Sequence, residues 1–187
     1  MTNTDPDRDL ITRAAAKDRA AMHALFARHN VRVFRFLMGR VRNEAVAEEL
    51  TSEVFLDVWR LAGKYEGRSA VSTWLLAIAH NKAMSRFRKK REDELEDGVA
   101  EQVVDTSDDP ELRAQKRSKG DLMRDTINAL SDEHREVIDL VYYHEKSVRE
   151  VSEIAGIPEA TVKTRMHYAR KALGEMMKQA GIDRGWP

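Results

Sequence analysis

The chain of 187 residues contains no cysteine. That excludes a disulfide framework, a thiolate zinc site, an iron-sulfur cluster and a cysteine nucleophile, and it suits a reducing compartment. No apolar run approaches the ~18 residues that a membrane span needs. The opening MTNTDPDRDL is acidic where a secretory signal would be basic. A cytoplasmic protein without membrane insertion is therefore expected. Strict alternation of apolar and polar residues is nearly absent, so no strand is assigned. A net charge is missing too, because 32 basic residues balance 32 acidic ones.

The balance hides a segregation. Residues 1–91 carry 18 basic and 10 acidic side chains, as a domain that meets a polyanion, or a highly solvated one, would. Residues 92–111 hold ten acids and no base, with Gly98 and Pro110 among them, and read as an extended, self-repelling linker. Residues 112–187 return to near balance, with 14 basic and 12 acidic. The pattern is domain, linker, domain, and the length has room for two small domains.

Apolar residues recur at spacings of three and four in both halves, so the fold class is all-α: two small helical domains joined by an acidic linker. One long helix is expected over 18–40. Asn43 is placed to cap a second, with Ala47, Leu50, Val54, Val58 and Leu61 inward, ending at the turn between Gly63 and Gly67. A third should run from Ser72 to about Arg91. In the second half, helices are expected over 109–129 and 132–144, followed by a shorter pair.

That pair carries the sharpest signal. Ser147 and Glu150 form a capping box, in which Ser147 caps the helix and Glu150 reaches back to its backbone. SVREVSEIA stops at Gly156, Pro158 suits the first position of the next helix, and a long amphipathic segment follows. Val162, Met166, Ala169, Leu173 and Met176 make its buried stripe. Thr161, Lys163, Thr164, Arg165, His167, Tyr168 and Lys171 face away from that stripe, and residues 161–171 contain no acid. This is helix-turn-helix grammar, and such a helix fits the major groove of B-DNA. A solvated bundle helix also shows a basic outer face. Turn, cap, proline and acid-free face together favour DNA recognition.

Two further features stand in the first half. NKAMSRFRKKR has six bases and no acid, and Asn81, Lys82, Arg86, Phe87, Arg88 and Lys89 share its helix with Trp74, placing a stacking surface beside phosphate-binding cations. Trp74 alone reads more readily as core. Glu49, Glu53 and Asp57 form an acidic stripe at spacings of four. Such a stripe on a basic domain repels DNA, so a protein partner is the functional alternative to a solvated face.

Enzyme chemistry finds little support. His144, Glu145 and Val148 begin like a zinc-binding HExxH but lack the second histidine. The six histidines show no ligand spacing, and neither a glycine-rich phosphate loop nor a nucleophile elbow occurs. No catalytic residue, metal or cofactor is expected.

At this point the chain resembles a known family, the bacterial RNA polymerase sigma factors of the sigma-70 type. It is closest to the short extracytoplasmic-function (ECF) group, which keeps only regions two and four. AEELTSEVFLDVWR resembles the helix that docks on the polymerase clamp. STWLLAIAHNKAMSRFRKKR resembles the adjoining melting and minus-10 segment, and LSDEHREVIDLVYYHEKSVREVSEIAGIPEATVKTRMHYARKAL resembles region four.

The resemblance implies that Glu49, Leu50, Glu53, Val54, Phe55 and Asp57 belong to the core-polymerase-binding motif. It implies that Gly67, Arg68, Ser69, Val71, Trp74 and Asn81 sit where a flipped minus-10 base is captured, with Lys82, Arg86, Arg88 and Lys89 along the backbone. The outer face of the last helix, from Thr161 to Lys171, becomes the minus-35 reader. Core RNA polymerase, promoter DNA and an anti-sigma factor are the implied partners, and promoter-specific initiation is the implied function.

The sequence departs from the family at Ser52, where Gln is usual, at Ser85, where Asp is usual, and at Tyr168, a frequent Arg. Tyrosine cannot make the bidentate guanine contact of arginine. Tethering two weak readers raises their joint affinity through effective concentration. The ten acids of the linker are expected also to shield the basic faces of the free protein. A sigma mimic that titrates an anti-sigma factor could lose its DNA-contacting bases, and this chain keeps them. An ordinary helix-turn-helix regulator would leave the docking-like helix unexplained.

Overall fold

A computed structural model describes residues 5–97 and 119–179. All described secondary structure is helical. In the first half α1 spans Arg8–Ala15, α2 Arg19–Val41, α3 Glu44–Leu61 and α4 Val71–Asp97, with a short 3-10 turn at Ala62–Lys64. In the second, α5 spans Lys119–Asn128, α6 Asp132–Ile138, α7 Val148–Ala155 and α8 Glu159–Gln179, and a π-turn at Asp139–Tyr143 follows α6.

The ends of the helices are set by local chemistry. The Asp18 carboxylate accepts from the Ala20 and Ala21 N–H groups and opens α2, and the Asn43 side chain accepts from Val46 N–H and opens α3. The Ser147–Glu150 capping box is formed, and Gly156, at φ +65°, closes α7 in the left-handed conformation that glycine tolerates. The Pro158 carbonyl accepts from Val162 N–H and begins the first turn of α8.

The core of the first half comes from Leu25, Val33, Phe36 and Leu37 of α2, Ala47, Leu50, Val54 and Val58 of α3, and Leu75, Leu76, Ala79 and Ala83 of α4. Burying each of the larger side chains contributes on the order of 1.5–3 kcal/mol. Val137, Leu140, Val151, Ile154, Val162 and Met166 continue the same core into the second half, while Leu130, Ile138, Ala169 and Leu173 form a smaller cluster between α6 and α8. Helix α7 thus packs between α4 and α8.

Four expectations are corrected. Helix α1 arises from a stretch read only as acidic and signal-free. Helix α4 runs on through Asp97, so the first six residues of the expected linker are helical, consistent with the high helix propensity of Glu and Leu. The rest of that linker, and 109–118 of the expected 109–129 helix, lie outside the described residues. The buried stripe of α8 ends at Met177 rather than Met176, because the last step is four residues from Leu173. The 132–144 helix gives way to the π-turn after Ile138.

Candidate nucleic-acid interface

Helix α3 divides the expected docking motif by depth. Leu50, Val54 and Phe55 are buried, so their side chains hold the helix against the core. Glu49 is exposed, Glu53 and Asp57 are half-buried, and Leu56, which sequence reasoning overlooked, is 55% exposed beside them. An exposed leucine on an otherwise polar face was the available signal. Ser52 donates to the Glu48 carbonyl at 3.1 Å and so turns back on its own helix.

Between α3 and α4 lies an open groove of about 520 Å³ whose walls carry Glu49, Glu53 and Asp57 on one side and Asn81, Arg86 and Lys89 on the other. Lys82 bridges it, with Nζ 2.9 Å from Asp57 and 3.1 Å from Glu53. The Asp57 carboxylate, helped by Glu53 and opposed by partial burial, raises the Lys82 pKa above the ordinary lysine value. The Lys82 ammonium is engaged by carboxylates, whereas Arg86, Arg88 and Lys89 project into solvent.

The turn before α4 is held from several sides. Gly67 has φ +71°, and Arg68, exposed, pairs with Glu66 at 2.5 Å. The Tyr65 hydroxyl donates to the Ser69 carbonyl at 2.6 Å, and its ring leans on Trp74 with centroids 5.4 Å apart. Burial raises the Tyr65 pKa above the ordinary tyrosine value. Val71 is fully buried, so at this end of the turn its backbone faces outward and its side chain joins the core. Asn81 is exposed. Trp74 is half-buried against the core, and Phe87, expected to help form a stacking surface, lies 6.0 Å from the Arg40 guanidinium.

In the second half α8 presents Lys163, Thr164, His167, Tyr168 and Lys171 to solvent, with Thr161 half-buried. Arg165 is mostly covered and pairs with Glu133 at 2.9 Å. His167 and Tyr168 meet edge to face at 5.4 Å. The Arg170 guanidinium donates to the Tyr142 hydroxyl at 3.0 Å, so Arg170 is tied back to the π-turn.

The two halves meet along a polar seam that no sequence pattern announced. Lys146 Nζ donates to the Ser72 and Thr73 hydroxyls at 2.8 and 3.0 Å, and Thr73 donates to Glu150 at 2.6 Å. Burial lowers the Lys146 pKa against the pull of Glu150. Burial alone would raise the Glu150 pKa, but the Thr73 hydroxyl, the Ser147 N–H and hydroxyl, and Lys146 overcome it and bring it to about 2. Further along, buried Glu136 accepts from His80 Nδ1 at 2.6 Å, with Arg40 Nε 3.6 Å away, and His144 stands edge-on to Phe36 at 5.8 Å.

Comparison with known proteins decides what these surfaces belong to. Residues 25–92 match Sigma-70 region 2 and residues 126–175 match Sigma-70, region 4. The ECF RNA polymerase sigma factor SigK of Mycobacterium sp. strain KMS is 32% identical over 170 residues, covering 88% of this chain and 86% of that protein. This chain belongs to the ECF RNA polymerase sigma factors. SigK of Mycobacterium bovis is likewise 32% identical, over 171 residues, 88% of this chain and 89% of its own. Two solved structures share the fold of this sigma factor. RpoE, in complex with the anti-sigma factor NepR from Bartonella quintana, has a TM-score of 0.69 at 24% identity, covering 87% of this chain and 98% of that one. CnrH, in complex with the cytosolic domain of CnrY, has a TM-score of 0.66 at 22% identity, covering 92% and 97%. Among the described residues no helix is long and apolar enough to cross a membrane, and no cluster of side chains fits a metal ion.

Proposed function

We propose that this sigma factor docks on core RNA polymerase through Glu49, Glu53, Leu56 and Asp57, and directs initiation by reading two promoter elements without catalysis of its own. The 67–71 turn with Asn81 takes an unpaired minus-10 base, a mode that needs a shaped pocket more than groove readout. Arg86, Arg88 and Lys89 neutralise the adjoining phosphates. The exposed face of α8, from Thr161 to Lys171, enters the major groove at the minus-35 element, with Lys163, Thr164, His167 and Tyr168 nearest the bases.

The observation that carries this reading is the exposed, acid-free face of α8, presented by a capped helix and a glycine turn. Tyr168, 54% exposed, changes what that face can read: its hydroxyl makes one hydrogen bond where an arginine would make two. Work in the cytoplasm, and control by an anti-sigma factor that covers the docking surface, complete the proposal. The anti-sigma reading is supported by RpoE and CnrH, each solved with a partner bound, and the location by the sigma-factor family. Transcription in vitro with purified core polymerase on fragmented genomic DNA is the test. Discrete new start sites with two shared upstream motifs are expected; tight binding to core without any start would instead favour a decoy.

A further inference from the structure

The turn proposed to capture the minus-10 base is fastened by residues far from it in sequence. Asp5 Oδ2 accepts from Val71 N–H at 2.5 Å, filling one of the orphan donors at the start of α4. Asp5 Oδ1 accepts from Asp7 N–H at 3.0 Å. Asp7 is buried and pinned to α2 by Arg28 at 2.5 Å and His29 at 2.8 Å. Burial would raise the Asp7 pKa, yet these two partners hold it below the ordinary aspartate value, so the anchor is ionic at neutral pH.

One turn further on, the Arg8 side chain reaches the Gly67 carbonyl at 3.5 Å. Its guanidinium occupies the space a Cβ on Gly67 would need. Glycine at 67 serves the positive φ, while the exposed Arg8 guanidinium lies against its open Cα face. Tyr65 and Trp74 support the turn from the core side, while Asp5 and Arg8 clamp its last and first backbone positions from outside.

We propose that the N-terminal segment 5–15 is a brace for the minus-10 turn, with Asp5 and Arg8 as positioning residues that fix the backbone of 67–71 in its base-accepting shape. The idea rests on the reading of that turn given above. Neither residue contacts DNA in this account; each acts through a backbone group of the turn. A pocket that accepts a flipped base works only if its walls are preorganised, because ordering them on binding would subtract from affinity.

The test uses holoenzyme assembled from the full chain and core polymerase. The probe is a single-stranded non-template oligonucleotide carrying the minus-10 element of a promoter this holoenzyme transcribes, together with a series of the same strand bearing one abasic site each. Wild type is expected to lose affinity at one abasic position. Asp5→Ala and Arg8→Ala should bind the intact strand about tenfold more weakly, an effect of the size of one or two hydrogen bonds. They should equal wild type on the strand abasic at that position. Asp5→Asn keeps one acceptor oxygen for the two N–H groups of Val71 and Asp7, and should fall between Asp5→Ala and wild type. Affinity for core should be unchanged in all three, and Arg8, being exposed, can be truncated without opening the core.

Equal losses on intact and abasic strands, or no loss in either alanine variant, would overturn the brace while leaving base capture standing. Wild-type indifference to every abasic site would overturn base capture, and the brace with it.

Discussion

The seam between the two halves and the DNA-facing surfaces of α4 and α8 use the same residue types in opposite ways. At the seam, the Lys146 and Arg40 side chains are buried and each faces a carboxylate, Glu150 or Glu136. On the outer faces, Arg86, Arg88, Lys89, Lys163 and Lys171 are exposed. A buried cation must be compensated locally because leaving water costs several kcal/mol per ion. An exposed one keeps its charge available for phosphates. Lys82 and Arg165 lie between these cases, half-buried and already paired, so they are poor donors to DNA as the chain stands.

The contrast is broken most severely at Glu136. Glu136→Ala removes the acceptor of His80 and the buried counter-charge of Arg40, and a stability loss of about 3 kcal/mol is expected from urea unfolding. Arg88→Ala should change stability by less than about 0.5 kcal/mol in the same experiment, while weakening minus-10 binding. Comparable losses for both variants would erase the distinction.

Acid provides a second lever. The Glu150 carboxyl titrates near 2 in the folded chain, below its unfolded value. Its stabilising contribution is therefore complete above the ordinary glutamate range, and is lost as pH falls from about 5 toward 2. Glu150→Gln should flatten the stability curve in that window, read by denaturant unfolding at a series of pH values.

Smaller effects sharpen the picture. Ser147→Ala removes the cap of α7 and should cost about 1 kcal/mol, measured by thermal unfolding. Lys171→Ala should leave stability unchanged and reduce the salt slope of minus-35 binding by about 1, uniformly across sequences. Tyr168→Arg should instead alter which minus-35 base is preferred, seen by comparing promoter variants.

Caps and turns were legible in the sequence because they are local. Asn43, the Ser147–Glu150 box, Gly156 and the first four members of the α8 stripe can be recognised within a few residues of themselves. What escaped is long-range. Thr73, His80, Glu136 and Lys146 look like surface residues until partners more than 50 positions away bury them. Leu50, Val54 and Phe55 carry the family motif and yet point inward, since a motif marks a helix and not the direction of each side chain. Asp5 and Asp7 read as mere acidity because their partners, Val71 and His29, lie on other helices.

The division of labour between the two halves is tested most directly by cross-linking within one complex. Photoreactive groups placed at positions 68 and 168, both exposed, would be carried by holoenzyme on a promoter mapped by its own transcription. The account predicts cross-links from position 68 to the non-template strand of the minus-10 element and from position 168 to the minus-35 duplex, in the same open complex. Cross-links from both positions to a single element, or from 168 to none, would contradict it.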